Sequence, residues 1–168
     1  MNTSMAAPDN AFNLILWRHA EAEFGTPDTQ RKLTPKGMLQ AQRTAQWLRK
    51  RLADNVRVIS SPAIRTLQTA QTLSLPIEES HQLFTDATAS DVLSAAGWPT
   101  QLGNHGDTII LVGHQPSLGR AAAFLLSGVE ANWEFEKSAL WWFTCQLQNE
   151  THVRHVSLRA AIDPTLFK

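Results

Sequence analysis

Between Leu14 and Ala22 the chain runs through Leu14-Ile15-Leu16-Trp17 and stops at Arg18-His19, followed by Ala20-Glu21-Ala22. A short apolar run bounded by polar residues predicts a strand buried on both faces. In an α/β sheet, ligands bind just past the carboxyl ends of such strands. Arg18 and His19 then stand side by side at a strand mouth. One can hold an anion, and the other can attack it or exchange its proton. On this stretch alone, a charged pair that merely ends a strand is an equal alternative.

Composition narrows the classes. The 168 residues fit one domain with a normal core. Lys+Arg 15 balance Asp+Glu 15, without the basic excess of a nucleic-acid binder. The single cysteine, Cys145, excludes an internal disulfide and a cysteine-based zinc site, and its apolar surroundings predict a core residue. Residues 1–10 lack the basic start and apolar core of a secretion signal. No apolar run approaches the roughly 20 residues of a membrane span. The expectation is a soluble, cytoplasmic protein with a flexible tail over residues 1–12 and a single domain over 13–168.

Along the chain, Glu21 to Lys32 contains Gly25, Pro27 and Asp28 and reads as a loop beside the strand mouth. Thr34-Pro35 predicts a helix start with Thr34 as N-cap. Met38, Ala41, Ala45, Leu48 and Leu52 form its buried stripe, leaving Arg43, Arg49 and Lys50 solvated. Val56 to Ser60 reads as a strand. Ser61-Pro62 predicts a second helix start, with Ile64, Leu67, Ala70 and Leu73 inward. Arg65 falls in the first turn, where the helix dipole disfavours a cation and a bound anion would explain it; a solvated surface arginine is the plainer alternative. A short strand is expected within Ile77–Phe84 and a short helix within Asp91–Trp98.

Thr108-Ile109-Ile110-Leu111-Val112-Gly113-His114 then repeats the opening pattern, an apolar strand ending at a histidine. Gln115-Pro116 predicts a helix with Leu118, Ala122, Leu125 and Val129 on one face. Ala139–Leu147 and His152–Leu158 read as strands. Alternating strands and helices imply a mostly parallel sheet with right-handed crossovers. All carboxyl ends then share one rim, bringing together Arg18-His19, the Ser61/Arg65 turn and Gly113-His114. Two guanidiniums there can grip phosphoryl oxygens bidentately. Their charge would also lower the pKa of a nearby histidine, keeping it neutral and nucleophilic.

Arg18-His19-Ala20-Glu21-Ala22 resembles the Arg-His-Gly signature of the histidine phosphatase superfamily. Ser60-Ser61-Pro62-Ala63-Ile64-Arg65-Thr66-Leu67-Gln68-Thr69-Ala70 is similar to its second signature, and Val112-Gly113-His114-Gln115-Pro116 to its third. Within the superfamily, the opening motif and the segment Arg31-x-Leu33-Thr34-x-x-Gly37-x-x-Gln40-Ala41 resemble the short SixA-type phosphohistidine phosphatases. The resemblance runs from about Leu14 to Leu125 in conserved order and spacing. It implies a phosphoglycerate mutase-like fold, a three-layer α/β/α sandwich around the mostly parallel sheet. It implies that His19 accepts the phosphoryl group, that Arg18 and Arg65 hold its oxygens, and that His114 hydrogen-bonds it. No metal or other cofactor is implied. His152 and His155 form an H-x-x-H pair, but their odd spacing places them on opposite faces of a strand. His81 and His105 read as surface residues.

Two departures from the pattern stand out. Ala20 replaces the commoner glycine beside the nucleophile. Many superfamily members carry a carboxylic acid after the third strand to protonate an alcohol leaving group, and here the segment Leu83-Phe84-Thr85-Asp86-Ala87-Thr88-Ala89-Ser90-Asp91 has no clear glutamate in place. Asp86 is the candidate general acid, and Asp91 a second; each also suits a helix cap or a solvated loop. A site without a dedicated acid suits phosphohistidine, whose imidazole takes its proton from water near neutral pH. The short segment between residues 73 and 108 leaves no room for a large lid.

The expected function is therefore a metal-independent protein phosphohistidine phosphatase in signal transduction. Its substrate would be a phosphohistidine-bearing protein such as a phosphotransfer domain, and the enzyme is expected to be a monomer with no nucleic-acid or membrane partner. A small-molecule phosphomonoesterase using Asp86 is the second reading. A catalytically silent phosphate-binding module is the third, although pure binding needs no nucleophile.

Overall fold

The computed structural model describes residues 11–98, 107–148 and 152–167. In chain order its elements are β1 (Ala11–Arg18), α1 (Pro35–Arg49), β2 (Val56–Ser60), α2 (Ile64–Gln71), β3 (Ile77–Glu79), α3 (Ala89–Ala95), β4 (Thr108–Gly113), α4 (Ser117–Ser127), β5 (Leu140–Gln148) and β6 (His152–Ile162). Short 3₁₀ turns lie at Asp28–Gln30, His81–Leu83 and Pro164–Leu166. The strands form one sheet in the order β3-β2-β4-β1-β5-β6. The first four in that order pair in parallel, and β5 and β6 add an antiparallel edge.

Strand alternation places a helical layer on each face of the sheet. Ile15 and Trp17 of β1 pack with Ala45 and Leu48 of α1 and Ala70 of α2. Phe12, Leu14 and Leu16 point the other way, toward Val92 and Leu93 of α3 and Leu118, Ala122 and Leu125 of α4. This is the expected three-layer α/β/α sandwich. Both apolar runs that end in histidine are central neighbours, with Arg18 registered against Gly113. Each is buried on both faces by the two layers, which explains their unbroken hydrophobicity.

Several boundaries differ from the sequence reading. Ala11 and Phe12, assigned above to the tail, begin β1 and are fully buried. Helix α1 starts where expected, with the Thr34 hydroxyl accepting from the Gly37 amide at 2.9 Å. Helix α2 starts two residues after Pro62, with Ala63 as N-cap. Its buried face is Arg65, Thr66, Thr69 and Ala70, while Ile64 and Leu67 are only half-buried. Buried polar groups displaced the apolar stripe because this helix end faces the site, and Thr66 spends its hydroxyl on the Ser61 and Ala63 carbonyls. Val129 lies beyond the Gly128 C-cap of α4 and is 68% exposed. Strand β6 continues to Ile162, four residues past Leu158.

The register of β6 shifts between its pairings Gln146 with His155 and Leu147 with Val153. This irregularity breaks the alternation used above to separate His152 from His155. His155 is exposed, and so is His81; the side chain of His152 and the whole of His105 lie outside the described residues. Cys145 is in the core, as expected, and burial pushes its thiol up to about 12. No helix among the described residues is long and apolar enough to cross a membrane.

Gly37 fixes how α1 meets the strand mouth. A Cβ at this position would lie 1.9 Å from the Glu21 carbonyl oxygen, so only glycine lets the helix start sit against the backbone just past His19.

Candidate active site

The carboxyl ends of β1, β2 and β4 and the loops after them line a pocket of about 450 Å³. Arg18, His19, Arg65 and His114 all face it, together with Ala22, Asp28, Arg31, Thr85, Gln115 and Lys137. Four cations therefore meet a single carboxylate, in a chain whose formal net charge is zero. Parallel topology gathers these groups from positions up to 119 residues apart, Arg18 to Lys137.

His19 is 8% exposed. Its Nδ1 lies 2.7 Å from the Ala20 carbonyl oxygen, which only accepts, so the ring proton sits on Nδ1. The lone pair is then on Nε2. Burial, and secondarily the charges of Arg65, Arg18 and Arg31, lower its pKa to about 4 despite the Ala20 hydrogen bond. The sequence reading credited the arginines; desolvation is the larger cause. A neutral imidazole with a directed Nε2 lone pair is a competent nucleophile at neutral pH.

The backbone carrying this ring is pinned from two sides. The His19 amide donates to the Gly113 carbonyl at 3.1 Å, and the Ser138 amide donates to the His19 carbonyl at 3.1 Å. Ser138 is fully buried in left-handed backbone, φ 62°, which is strained for a residue with a Cβ. Its carbonyl accepts from Trp17 Nε1 at 3.1 Å and from the Thr44 hydroxyl at 3.0 Å, holding that conformation in place. Ala20, by contrast, has no positive φ, so replacing the commoner glycine forces no strain here. Its amide donates to the Thr69 hydroxyl of α2 at 3.1 Å.

Arg65 is the opposite of a solvated arginine, with 2% exposure. Its Nε donates to His19 Nε2 at 3.3 Å, and its Nη2 reaches His114 Nδ1 at 3.3 Å. Its Nη1 donates to the Asp28 carbonyl at 2.7 Å, and Nη2 also donates to Asp28 Oδ2 at 2.8 Å. Because an arginine only donates, Nδ1 of His114 is the acceptor and Nε2–H points to the Ser61 hydroxyl at 2.9 Å. Burial, followed by His19 and the Arg65 charge, lowers His114 to about 3. The two imidazoles are tilted at 59° with centroids 5.2 Å apart. Arg65 thus sets the tautomer of His114, and Ser61, expected as a helix cap, accepts the hydrogen bond from its Nε2–H.

Arg18 donates Nη1 to the Phe135 carbonyl, and its buried Nε has no hydrogen-bond partner. The sequence places Asp28 in a loop beside the strand mouth and Arg31 in the SixA-like segment, but gives neither a role in the site. Asp28 Oδ1 accepts from Arg31 Nε at 2.9 Å, while the same carboxylate holds Arg65. These arginines hold Asp28 below the usual carboxylate range, against a partial burial that pushes the other way.

The candidate acids lie elsewhere. Asp86 is exposed and is not among the pocket-lining residues, whereas its neighbour Thr85 is. Asp91 completes a capping box on α3: its carboxylate takes the Thr88 amide at 2.9 Å. That hydrogen bonding to Thr88 lowers its pKa, so it is not a proton donor near neutrality. Among the described residues no group of three or more His, Cys, Asp or Glu is placed to hold a metal ion.

Fold and pocket thus define an α/β protein whose parallel-sheet rim gathers four cations around a neutral histidine. Residues 14–86 match the family model of the histidine phosphatase superfamily, branch 1. The chain is 30% identical over 120 residues to an uncharacterized protein of Mycobacterium tuberculosis, spanning 68% of this chain and 73% of that one. This chain belongs to the histidine phosphatase superfamily. Among solved structures, the protein histidine phosphatase SixA complexed with tungstate superposes with a TM-score of 0.78 at 23% identity, covering 93% of this chain and 99% of that one. A phosphoserine phosphatase from Entamoeba histolytica, in complex with phosphoserine, gives a TM-score of 0.61 at 20% identity over 91% and 98%. At these identities the likeness establishes the fold, a phosphoglycerate mutase-like one. The family makes the protein a phosphatase.

Proposed function

We propose that the protein hydrolyses phosphohistidine on a partner protein through a phosphoryl intermediate on His19. The observation that carries this is the Nε2 lone pair of a neutral His19 facing a four-cation pocket without a carboxylate free to donate a proton. Asp28 is the single acidic residue in the lining, and it is committed to two arginines.

Nε2 attacks phosphorus in line. A nitrogen–phosphorus bond forms at His19 as the one to the substrate imidazole breaks. The departing imidazole keeps the bonding pair and takes a proton from water. Arg65 presents Nε–H and Nη2–H to the phosphoryl oxygens, and Arg18, which lines the same pocket, adds a second guanidinium. A phosphoryl dianion beside His114 favours protonation of its Nδ1, turning an acceptor into a donor while Nε2–H stays on Ser61. Water then attacks the phosphoryl-His19 and releases inorganic phosphate. Histidine departs from phosphorus in both steps, so a dedicated acid is dispensable.

The open surroundings support a macromolecular substrate. A second hollow of about 470 Å³ shares Arg18 and Gln115 with the pocket and continues past Pro116, Trp133 and Glu134. Such a surface suits a phosphohistidine presented on a phosphotransfer domain, in the cytoplasm, by a monomeric enzyme. The tungstate in the SixA neighbour is a phosphate-like oxyanion and is consistent with this reading. The phosphoserine complex of the other neighbour favours a second reading, a small-molecule phosphomonoesterase with Asp86 as acid. Steady-state kcat/KM on phosphohistidine proteins and on small alkyl phosphates decides between them. A strong preference for the protein substrates is expected; an alkyl phosphate turned over as fast would favour the second reading.

A further inference from the structure

The guanidinium of Arg65 has two usable edges, and the structure divides them. The side edge, Nε–H with one Nη2–H, faces His19 Nε2 and His114 Nδ1, each at 3.3 Å. The end edge, Nη1–H with the other Nη2–H, is filled by Asp28, whose carbonyl and carboxylate accept at 2.7 and 2.8 Å. The Asp28 side chain is itself held from the far side by Arg31, through Nε at 2.9 Å and Nη2 at 2.8 Å. Arg31 is tied back to the same loop, with Nη1 on the Glu23 carbonyl at 3.0 Å.

We infer that Asp28 is a positioning residue for the phosphoryl transfer, fixing Arg65 by its end edge so that its side edge meets the phosphoryl group between the two histidines. This rests on the phosphatase reading above. Arginine is a fork with directional donors, and a fork is useful only in one orientation. The carboxylate is not needed for folding the core, since its side chain is 53% exposed. It is also unsuited to be the acid, because two arginines hold it ionised.

Asp28 brings a cost that argues against a casual contact. A carboxylate beside a phosphate pocket repels a dianion. Its negative charge is offset locally by Arg31. The pair thus aims Arg65 while adding no net negative charge to the pocket. The triad spans Asp28, Arg31 and Arg65 and links the loop after β1 to the start of α2.

A double-mutant cycle on turnover, combined with side-chain NMR, tests this. With an aryl phosphate as probe, Asp28→Ala is expected to lower kcat by about 10- to 100-fold, the scale of misplacing a catalytic group by an ångström. In an Arg65→Ala background the same change is expected to cost less than about twofold, because Asp28 acts only through Arg65. Equal losses in both backgrounds, as a general acid or a structural residue would give, overturn the proposal. The ¹⁵N-coupled Nε–H signal of Arg65, assigned by its absence in Arg65→Lys, is expected to be sharp in the wild type and broadened or shifted in Asp28→Ala. An unchanged signal overturns the proposal without any reference to catalysis. If the signal moves but His19→Ala turns over the probe like the wild type, the phosphatase reading fails and the aiming of Arg65 stands.

Discussion

Arg65 Nε donates to His19 Nε2 at 3.3 Å, so the group that would grip the phosphoryl oxygens also caps the lone pair that would attack phosphorus. The phosphoryl group must enter between them. Arg65 then exchanges a neutral acceptor for anionic oxygens, and its hydrogen bond strengthens as charge develops in flight.

Arg65→Lys is accordingly expected to lower kcat by roughly 10²–10³-fold, the typical loss for one preorganised donor. Lysine supplies a point charge but cannot span His19, His114 and Asp28 at once. Steady-state kinetics of the variant check this. Activity near that of the wild type would mean that charge alone suffices.

The two site histidines carry a pH signature of the same burial. Their folded pKa values, about 4 for His19 and about 3 for His114, lie below the unfolded value near 6.5. The unfolded chain therefore binds more protons, and stability is lost as pH falls from 6.5 toward 4. Each histidine contributes a slope of up to about 1.4 kcal/mol per pH unit in that window. Urea unfolding at several pH values should show a shallower acid loss in His114→Gln than in the wild type. Identical slopes would show that His114 titrates normally in the folded protein.

Leaving-group chemistry separates the two functional readings. Asp86→Asn should change phosphohistidine turnover by less than about tenfold, below the 10²–10⁴-fold typical of a general acid. Turnover should rank phosphohistidine above an aryl phosphate, and the aryl phosphate above an alkyl one. A collapse in Asp86→Asn would place the proton donor at Asp86 despite its position outside the pocket lining. Asp91→Asn should weaken the capping box of α3, lowering the melting temperature slightly, and leave turnover intact.

The legibility of this protein divides along a physical line. Arg18, His19 and His114 were readable because each terminates an apolar strand, and topology alone brings strand ends together. Arg65 was readable from its unfavourable place in a first turn. Thr34 and Pro35 marked α1 because capping is local. Asp28 and Ser61 could be placed near the rim, but their contacts were not legible because the partners lie 37 and 53 residues away, and no periodicity reports such distances. Ser138 was missed for the same reason: a left-handed serine looks like any loop serine until Trp17, Thr44 and His19 are seen to hold it. The start of α2 was misplaced because Ser61-Pro62 has the chemistry of a cap, yet Ser61 is used by His114.

The central claim is a covalent phosphoryl-enzyme on Nε2 of His19, and trapping it is the most direct measurement. Brief incubation with a ³²P-labelled phosphohistidine protein, rapid quenching in alkali and peptide mapping should place the label on His19. The bond should survive alkali and be lost in acid, as expected for phosphorus on nitrogen, and His19→Ala should neither label nor turn over. A label on another residue, or normal turnover by His19→Ala, would contradict the account.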